Sequence, residues 1–237
     1  MSYKEQCYKW SEFVDTSTRQ VVPFAQSTGY AMRTLGIPRK YAKVIISEIE
    51  PKTQEQVTLI NALWQMANEK SPRKALICNG VNHCGKTHIA CGMINYLDFC
   101  DLAINGNIAK NGLSNYHPKY VAEADFLDRI TSFRSTTNYF DLYTDDCKFL
   151  VLDEFGSTKW TATEARKVNQ VLNKRFNNNY QTVLLTNRAM NEVFELMGDD
   201  VRSRFYGCHS ITMKEAVQYE SYTDKGQAEN ETDVWWE

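Results

Sequence analysis

The chain has 237 residues, 43% of them hydrophobic, a formal net charge of −2 and a pI of about 6.1. That apolar content excludes wholesale disorder, and the near balance of charge excludes a generally polycationic nucleic-acid binder while leaving room for a local basic groove. No apolar run approaches the roughly 20 residues of a membrane span, no signal peptide is evident, and the seven cysteines are scattered without a C-x-x-C pair, so we expect a cytoplasmic protein with no membrane partner, no zinc site and no disulfide framework.

Residues 1–34 read as a short arm. Tyr3, Cys7, Trp10 and Val14 share one face of a helix, which either packs on its own body or docks on a partner. Leu35 to Tyr41 reads as a turn entering the globular body. The apolar spacing of Val57, Ile60, Leu63 and Met66 predicts a helix over Gln54 to Lys70.

Lys74 to Asn79 has the length and apolarity of a buried strand, and His88 to Leu97 has helical spacing. Between them stands Gly80-Val81-Asn82-His83-Cys84-Gly85-Lys86-Thr87, which fits G-x-x-x-x-G-K-[ST], the phosphate-binding P-loop. Strand, glycine-rich loop and helix N-terminus are the context the motif needs, because backbone N–H groups and the helix dipole then face the phosphates. Residues Gly80 through His88 form the expected nucleotide site. Lys86 reaches the β- and γ-phosphates of ATP, and the Thr87 hydroxyl is a ligand for Mg²⁺.

Asp98 to Lys119, rich in Asn and Gly, reads as a surface loop. A short strand at Tyr120 to Ala122 precedes a helix over Asp125 to Phe133 with Phe126, Leu127 and Ile130 facing inward. Lys119, Arg129 and Arg134 on this helix and its flanks either merely solvate the surface or serve as candidate DNA contacts. Lys148 to Glu154 is a second buried strand that ends in two carboxylates, where α/β sheets bind ligands. Downstream of a P-loop this is a Walker B motif: Asp153 holds Mg²⁺ and Glu154 orients or deprotonates the attacking water.

Thr161 and Glu164 have the spacing of a capping box that opens a helix over Ala162 to Asn177, with Val168, Val171, Leu172 and Phe176 as its apolar stripe. The next strand, Thr182 to Asn187, belongs beside the Walker B strand. Asn187 then either meets the γ-phosphate or the attacking water, or merely turns the chain. Asn191 to Leu196 is helical and Gly198 ends it. Asp199 to Phe205 precedes a last strand, Ser210 to Met213. Residues 215–237 form an acidic tail that closes with Asp233-Val234-Trp235-Trp236-Glu237.

The order P-loop, Asp-Glu strand, Thr-Asn strand, Arg202-Ser203-Arg204-Phe205 resembles the AAA+ ATPases of the DnaC/IstB group, bacterial and phage helicase loaders and transposition helpers. The resemblance covers about residues 35–223. Leu35-Gly36-Ile37-Pro38-Arg39-Lys40-Tyr41 is similar to the family's entry segment, Gly85-Lys86-Thr87-His88-Ile89-Ala90 to its P-loop helix, Ala122 to Asp128 to its strand-to-helix step, and Val171-Leu172-Asn173-Lys174-Arg175-Phe176 to its Ile-Ile-Asn-Arg-Arg-Tyr pattern. It implies an α/β fold, a P-loop NTPase of AAA+ type with a parallel sheet flanked by helices, as an ATPase domain over residues 35–214. It implies that Asn187 is the sensor 1 residue and Arg204 an arginine finger acting on a neighbour's nucleotide. ATP and Mg²⁺ are the implied cofactors. A replicative helicase, single-stranded DNA and further copies arranged head to tail are the implied partners. The family's Pro-Gly-Thr is replaced by Asn82-His83-Cys84 in the loop, and Thr223 stands where its sensor 2 arginine is expected, with Lys225 nearby, which puts the rate of hydrolysis in question. An IstB-like transposition helper, a nucleotide-gated adaptor with little hydrolysis and a small-metabolite kinase are the alternatives. The strand-end Asn187 and Arg204 argue against the kinase.

Overall fold

The structure is a computed structural model that describes residues 31–67, 71, 73–107, 117–132 and 137–217, with only the backbone described for 99–107. The expectations for the helix face of the arm, for Arg134, for Thr223 and Lys225 and for Trp235-Trp236 lie outside the described residues.

Five strands form one sheet, all pairs parallel, in the order β2-β3-β4-β1-β5. They are β1 (Ala75–Gly80), β2 (Lys119–Ala122), β3 (Phe149–Asp153), β4 (Gln181–Thr186) and β5 (His209–Met213). The helices of seven residues or more are α1 (Gln54–Ala67), α2 (Lys86–Asn107), α3 (Glu123–Thr131), α4 (Ala162–Asn177), α5 (Met190–Leu196) and α6 (Asp199–Phe205), with short helical turns at Tyr139–Asp141 and Leu142–Asp146. Successive strand residues point to opposite faces, and both faces are covered. Leu76, Cys78, Phe149, Val151, Val183 and Leu185 join a core with α1, α2 and the entry segment. Ile77, Leu150, Leu152 and Leu184 join a second core with α3, α4, α5 and α6. This double burial is why β3 and β4 read as unbroken apolar runs rather than alternating ones. Because the strands are parallel, the ends of β1, β3 and β4 deliver Gly80, Asp153 and Thr186 to one edge.

The entry segment is a series of short turns at Ala31–Leu35, Arg39–Tyr41 and Ile46–Glu48, with Gly36 in the left-handed region at φ +79°. Buried Asn95 of α2 ties it down by donating to the carbonyls of Tyr41 (3.1 Å) and Val44 (2.7 Å).

Three sequence expectations need correction. The expected loop after Asp98 continues α2 to Asn107, because each residue added to an existing helix gains a hydrogen bond without a new nucleus. The segment Asp199–Phe205 is a helix of its own, and Gly198 stands as its N-cap rather than as a simple terminator of α5. Phe176 is 43% exposed, while Arg175 beside it is fully buried. By contrast α4 spans Ala162–Asn177 as expected, opened by the Thr161/Glu164 capping box.

On β5, His209 lies half-buried with Nε2 3.0 Å from the Ser71 hydroxyl. Burial, then the charge of Arg73, lowers its pKa below the ordinary histidine value. The unfolded chain therefore takes up the proton first. Stability is fully present above about pH 6.5 and falls as the solution is acidified through that value. The urea midpoint is expected to be lower at about pH 5.5 than at about pH 7.5, and His209→Gln should reduce that difference. An undiminished difference in the variant would assign the pH dependence to other groups.

Candidate active site

The phosphate loop is shaped by its backbone and braced by the body. His83 and Gly85 lie in the left-handed region at φ +63° and +98°, where glycine is unstrained and histidine is among the more tolerant residues. Gln56 of α1 donates to the Cys84 carbonyl at 2.9 Å, and the Val217 amide donates to the His83 carbonyl at 2.9 Å. A Cβ on Gly80 would meet the Met213 carbonyl oxygen at 2.4 Å, so the first glycine of the motif permits close packing of β5 as well as the turn. Val81 and Asn82 are exposed, Cys84 is buried, and the Val81 amide donates to the Met213 carbonyl at 3.2 Å.

Lys86 opens α2 and is 7% exposed. Its ammonium donates to the carbonyls of Gly80 and Val81 and to Asn187 Oδ1, each at 2.9 Å, with Cys84 Sγ at 3.4 Å. Asn187, just beyond β4, also donates to Asn82 Oδ1 at 2.8 Å. The residue expected to sense the phosphate thus touches both the loop and its lysine, 101 positions away in sequence.

The Thr87 hydroxyl donates to Asp153 Oδ2 at 2.6 Å. Asp153 is buried at the end of β3 and also accepts from the Tyr120 hydroxyl (2.8 Å) and the Glu154 amide (2.8 Å). Burial, then the Asp153 carboxylate, keeps Tyr120 protonated far above the usual tyrosine range, so it stays a donor. Sequence reasoning missed Tyr120, since nothing local marks a tyrosine on an edge strand as a carboxylate's partner. Glu154 is exposed and left-handed at φ +57°, which swings its side chain out of the strand at the sheet edge. His88, the last residue expected at the site, is buried against Tyr41 with ring centroids 5.8 Å apart, and burial lowers its pKa.

Two hard oxygen donors side by side, Thr87 and Asp153, suit Mg²⁺, which keeps most of its waters and takes few protein ligands. An ammonium and a loop of backbone N–H groups suit a polyphosphate.

Arg204 is not joined to this constellation by any bond among the described residues. Its guanidinium donates to Asn177 Oδ1 and to the Asn173 carbonyl (3.4 Å), and lies 5.2 Å from the Phe176 ring centroid, so it rests on α4. Arg202 pairs with Asp199 at 2.9 Å in an exposed ion pair. Of the candidate DNA contacts, Lys119 donates to the Thr34 carbonyl and is half-buried. Arg129 donates to the Tyr143 hydroxyl at 3.0 Å and lies 5.4 Å from the Tyr139 ring centroid. Both cations are therefore committed inside the fold. Exposed Arg33, Arg39, Lys40 and Lys43 have no carboxylate partner among the described residues.

No family model and no curated protein sequence matches the chain. Solved structures do. The DnaC helicase loader superposes with a TM-score of 0.58 at 17% identity, covering 75% of this chain and 100% of that one. DnaI gives 0.57 at 15% identity, over 76% and 93%. The chain has a DnaC-like AAA+ fold. The replication initiator DnaA bound to AMPPCP and single-stranded DNA superposes with a TM-score of 0.59 at 15% identity, over 76% of this chain and 51% of that one. Within this fold, the Gly80–Thr87 loop, the Asp153 strand end and Asn187 meet at one edge of the sheet. Among the described residues of the domain, no helix is long and apolar enough to cross a membrane.

Proposed function

We propose that the chain is an ATP-binding and hydrolysing replication protein, a helicase loader that assembles head to tail on single-stranded DNA and delivers a replicative helicase. The observation that supports it best is the joined pair of contacts Lys86–Asn187 and Thr87–Asp153, which gathers a cation, a polar sensor and a metal-binding carboxylate around one phosphate loop. In this reading residues 35–214 form the ATPase domain, residues 1–34 a partner-contacting arm and residues 215–237 an acidic tail.

The loop amides and Lys86 bind the phosphates of ATP. Thr87 and Asp153 hold Mg²⁺, which supplies charge neutralisation on the transferring phosphoryl group. Glu154 orients the attacking water and takes its proton, and Asn187 fixes the position of the terminal phosphate. Arg204 of one protomer completes the site of the next, so turnover requires assembly, and such head-to-tail contacts give rings or open spirals. One observation favours a slow, gated activity: Arg204 is held by Asn177 and Phe176 of its own α4 and must leave them to reach a neighbour.

The overall charge is slightly negative, so useful affinity for DNA comes from several protomers lined up on one strand. Fluorescence anisotropy of a labelled single-stranded oligonucleotide tests this. Binding should be at least about 10-fold tighter with ATP than with ADP or no nucleotide, should weaken as salt rises, and should lose its ATP dependence in Arg204→Ala. Equal affinity in all three nucleotide states removes the assembly model, and tighter binding to duplex throughout favours the transposition helper.

A further inference from the structure

The loop that leaves β3 carries Glu154 and runs on through Gly156, Ser157, Thr158 and Trp160. Its polar hydrogens converge on a single carboxylate from another element. Glu123 is the first residue of α3 and is 2% exposed. Its Oε1 accepts from the Gly156 amide (2.5 Å) and the Trp160 indole N–H (2.8 Å). Its Oε2 accepts from the Ser157 hydroxyl (2.8 Å), the Thr158 amide (3.0 Å) and the Thr158 hydroxyl (3.0 Å). A carboxylate has about four lone-pair sites, so this one is saturated by donors. No lysine or arginine forms an ion pair with it among the described residues. The charge is balanced by oriented N–H and O–H groups and by the N-terminal dipole of α3.

The same loop is tightly constrained on its other side. Glu154 and Gly156 are both left-handed, at φ +57° and +79°. A Cβ on Gly156 would meet Leu196 Cδ1 at 2.6 Å, so the turn has no slack there. The Phe155 amide donates to the Leu185 carbonyl at 2.8 Å, and the Phe155 ring packs edge-on against Trp160 at 5.2 Å. Phe155 thus pins the loop to β4, and Glu123 pins everything after it to α3. Between the two pins the direction in which Glu154 leaves the sheet is set.

We infer that Glu123 is a positioning residue for nucleotide hydrolysis, holding the loop of residues 154–160 so that the Glu154 carboxylate keeps one direction at the sheet edge that carries the phosphate loop. This rests on the ATPase reading proposed above. The isosteric change Glu123→Gln is the informative one. An amide keeps the volume but turns an NH₂ group toward donors that need an acceptor, so the loop loses its hold without a cavity forming.

The test compares Glu123→Gln with Ile130→Ala, a buried apolar truncation on the same helix whose side chain makes no hydrogen bond to the loop. In Glu123→Gln, kcat should fall by about 100-fold, the cost of a displacement near 1 Å, while the Kd for ATP stays within about 2-fold. Hydrogen exchange at the Gly156 and Thr158 amides should accelerate while the β3 amides stay protected. In Ile130→Ala, the melting temperature should drop while kcat stays within about 2-fold of wild type at a temperature where both are folded. Wild-type kcat in Glu123→Gln, unchanged exchange in the loop, or an equal loss of kcat in Ile130→Ala would each overturn the inference. Absence of turnover in the wild-type protein would sink the hydrolysis reading instead, and the exchange measurement would still decide whether Glu123 holds the loop.

Discussion

Lys86→Ala is expected to weaken ATP binding by about 100-fold or more in equilibrium titration, a loss of about 3 kcal/mol. Two effects act together. The variant lacks the cation nearest the phosphates, and it leaves the carbonyls of Gly80 and Val81 and the Asn187 side chain without their shared donor. Those three groups meet at Lys86 from two separate segments, so the loop and the end of β4 lose their common anchor. Glu154→Gln is the matching control. Its carboxylate is exposed and is not part of that cluster, so it should keep ATP affinity and lose most turnover. Wild-type affinity in Lys86→Ala would refute the P-loop assignment.

Arg175→Leu is expected to cost at least about 4 kcal/mol of stability, a large part of the 5–15 kcal/mol typical of a domain. The guanidinium is fully buried in α4, and all five of its N–H groups are used. Nε donates to the Thr182 hydroxyl (2.9 Å), Nη1 to the carbonyls of Tyr143 (2.5 Å) and Cys147 (2.6 Å), and Nη2 to those of Lys148 (3.2 Å) and Gln181 (2.5 Å). Every acceptor is a neutral oxygen, and most are backbone carbonyls at the start of β3 and β4. A leucine of lower polarity leaves them unpaired in a dry environment, at about 1–3 kcal/mol each before relaxation. Arg175→Lys should rescue little, because three donors on a flexible stem cannot reproduce a planar fork of five. Urea denaturation reads the effect. A variant within about 1 kcal/mol of wild type would show that the carbonyls find other partners.

These residues also show what a sequence can and cannot announce. The Thr161/Glu164 cap and the order of strand, glycine-rich loop and helix around Gly80 to Lys86 were legible because each is set by neighbours a few positions away. Arg175 and Phe176 were not. Apolar spacing put Phe176 inside, yet the acceptors waiting for Arg175 lie at residues 143–148 and 181–182, and no local pattern encodes them. Glu123 escaped notice for the same reason, since its donors lie 33 to 37 positions downstream. Lys119 and Arg129 looked like surface charge in one dimension and turned out to be engaged by Thr34 and Tyr143. The end of α2 was misjudged because Asn and Gly are weak helix formers, and propensity yields to an established helix.

The bond from the Val217 amide to the His83 carbonyl has a practical corollary. It follows directly on β5 and fastens the chain, four residues past Met213, to the flank of the phosphate loop. Anything rigid spliced on just after Val217 would pull on His83, and so would handicap the loop it was meant to leave alone. A spacer long and pliant enough to absorb that force belongs between Val217 and any cargo placed on this side of the molecule.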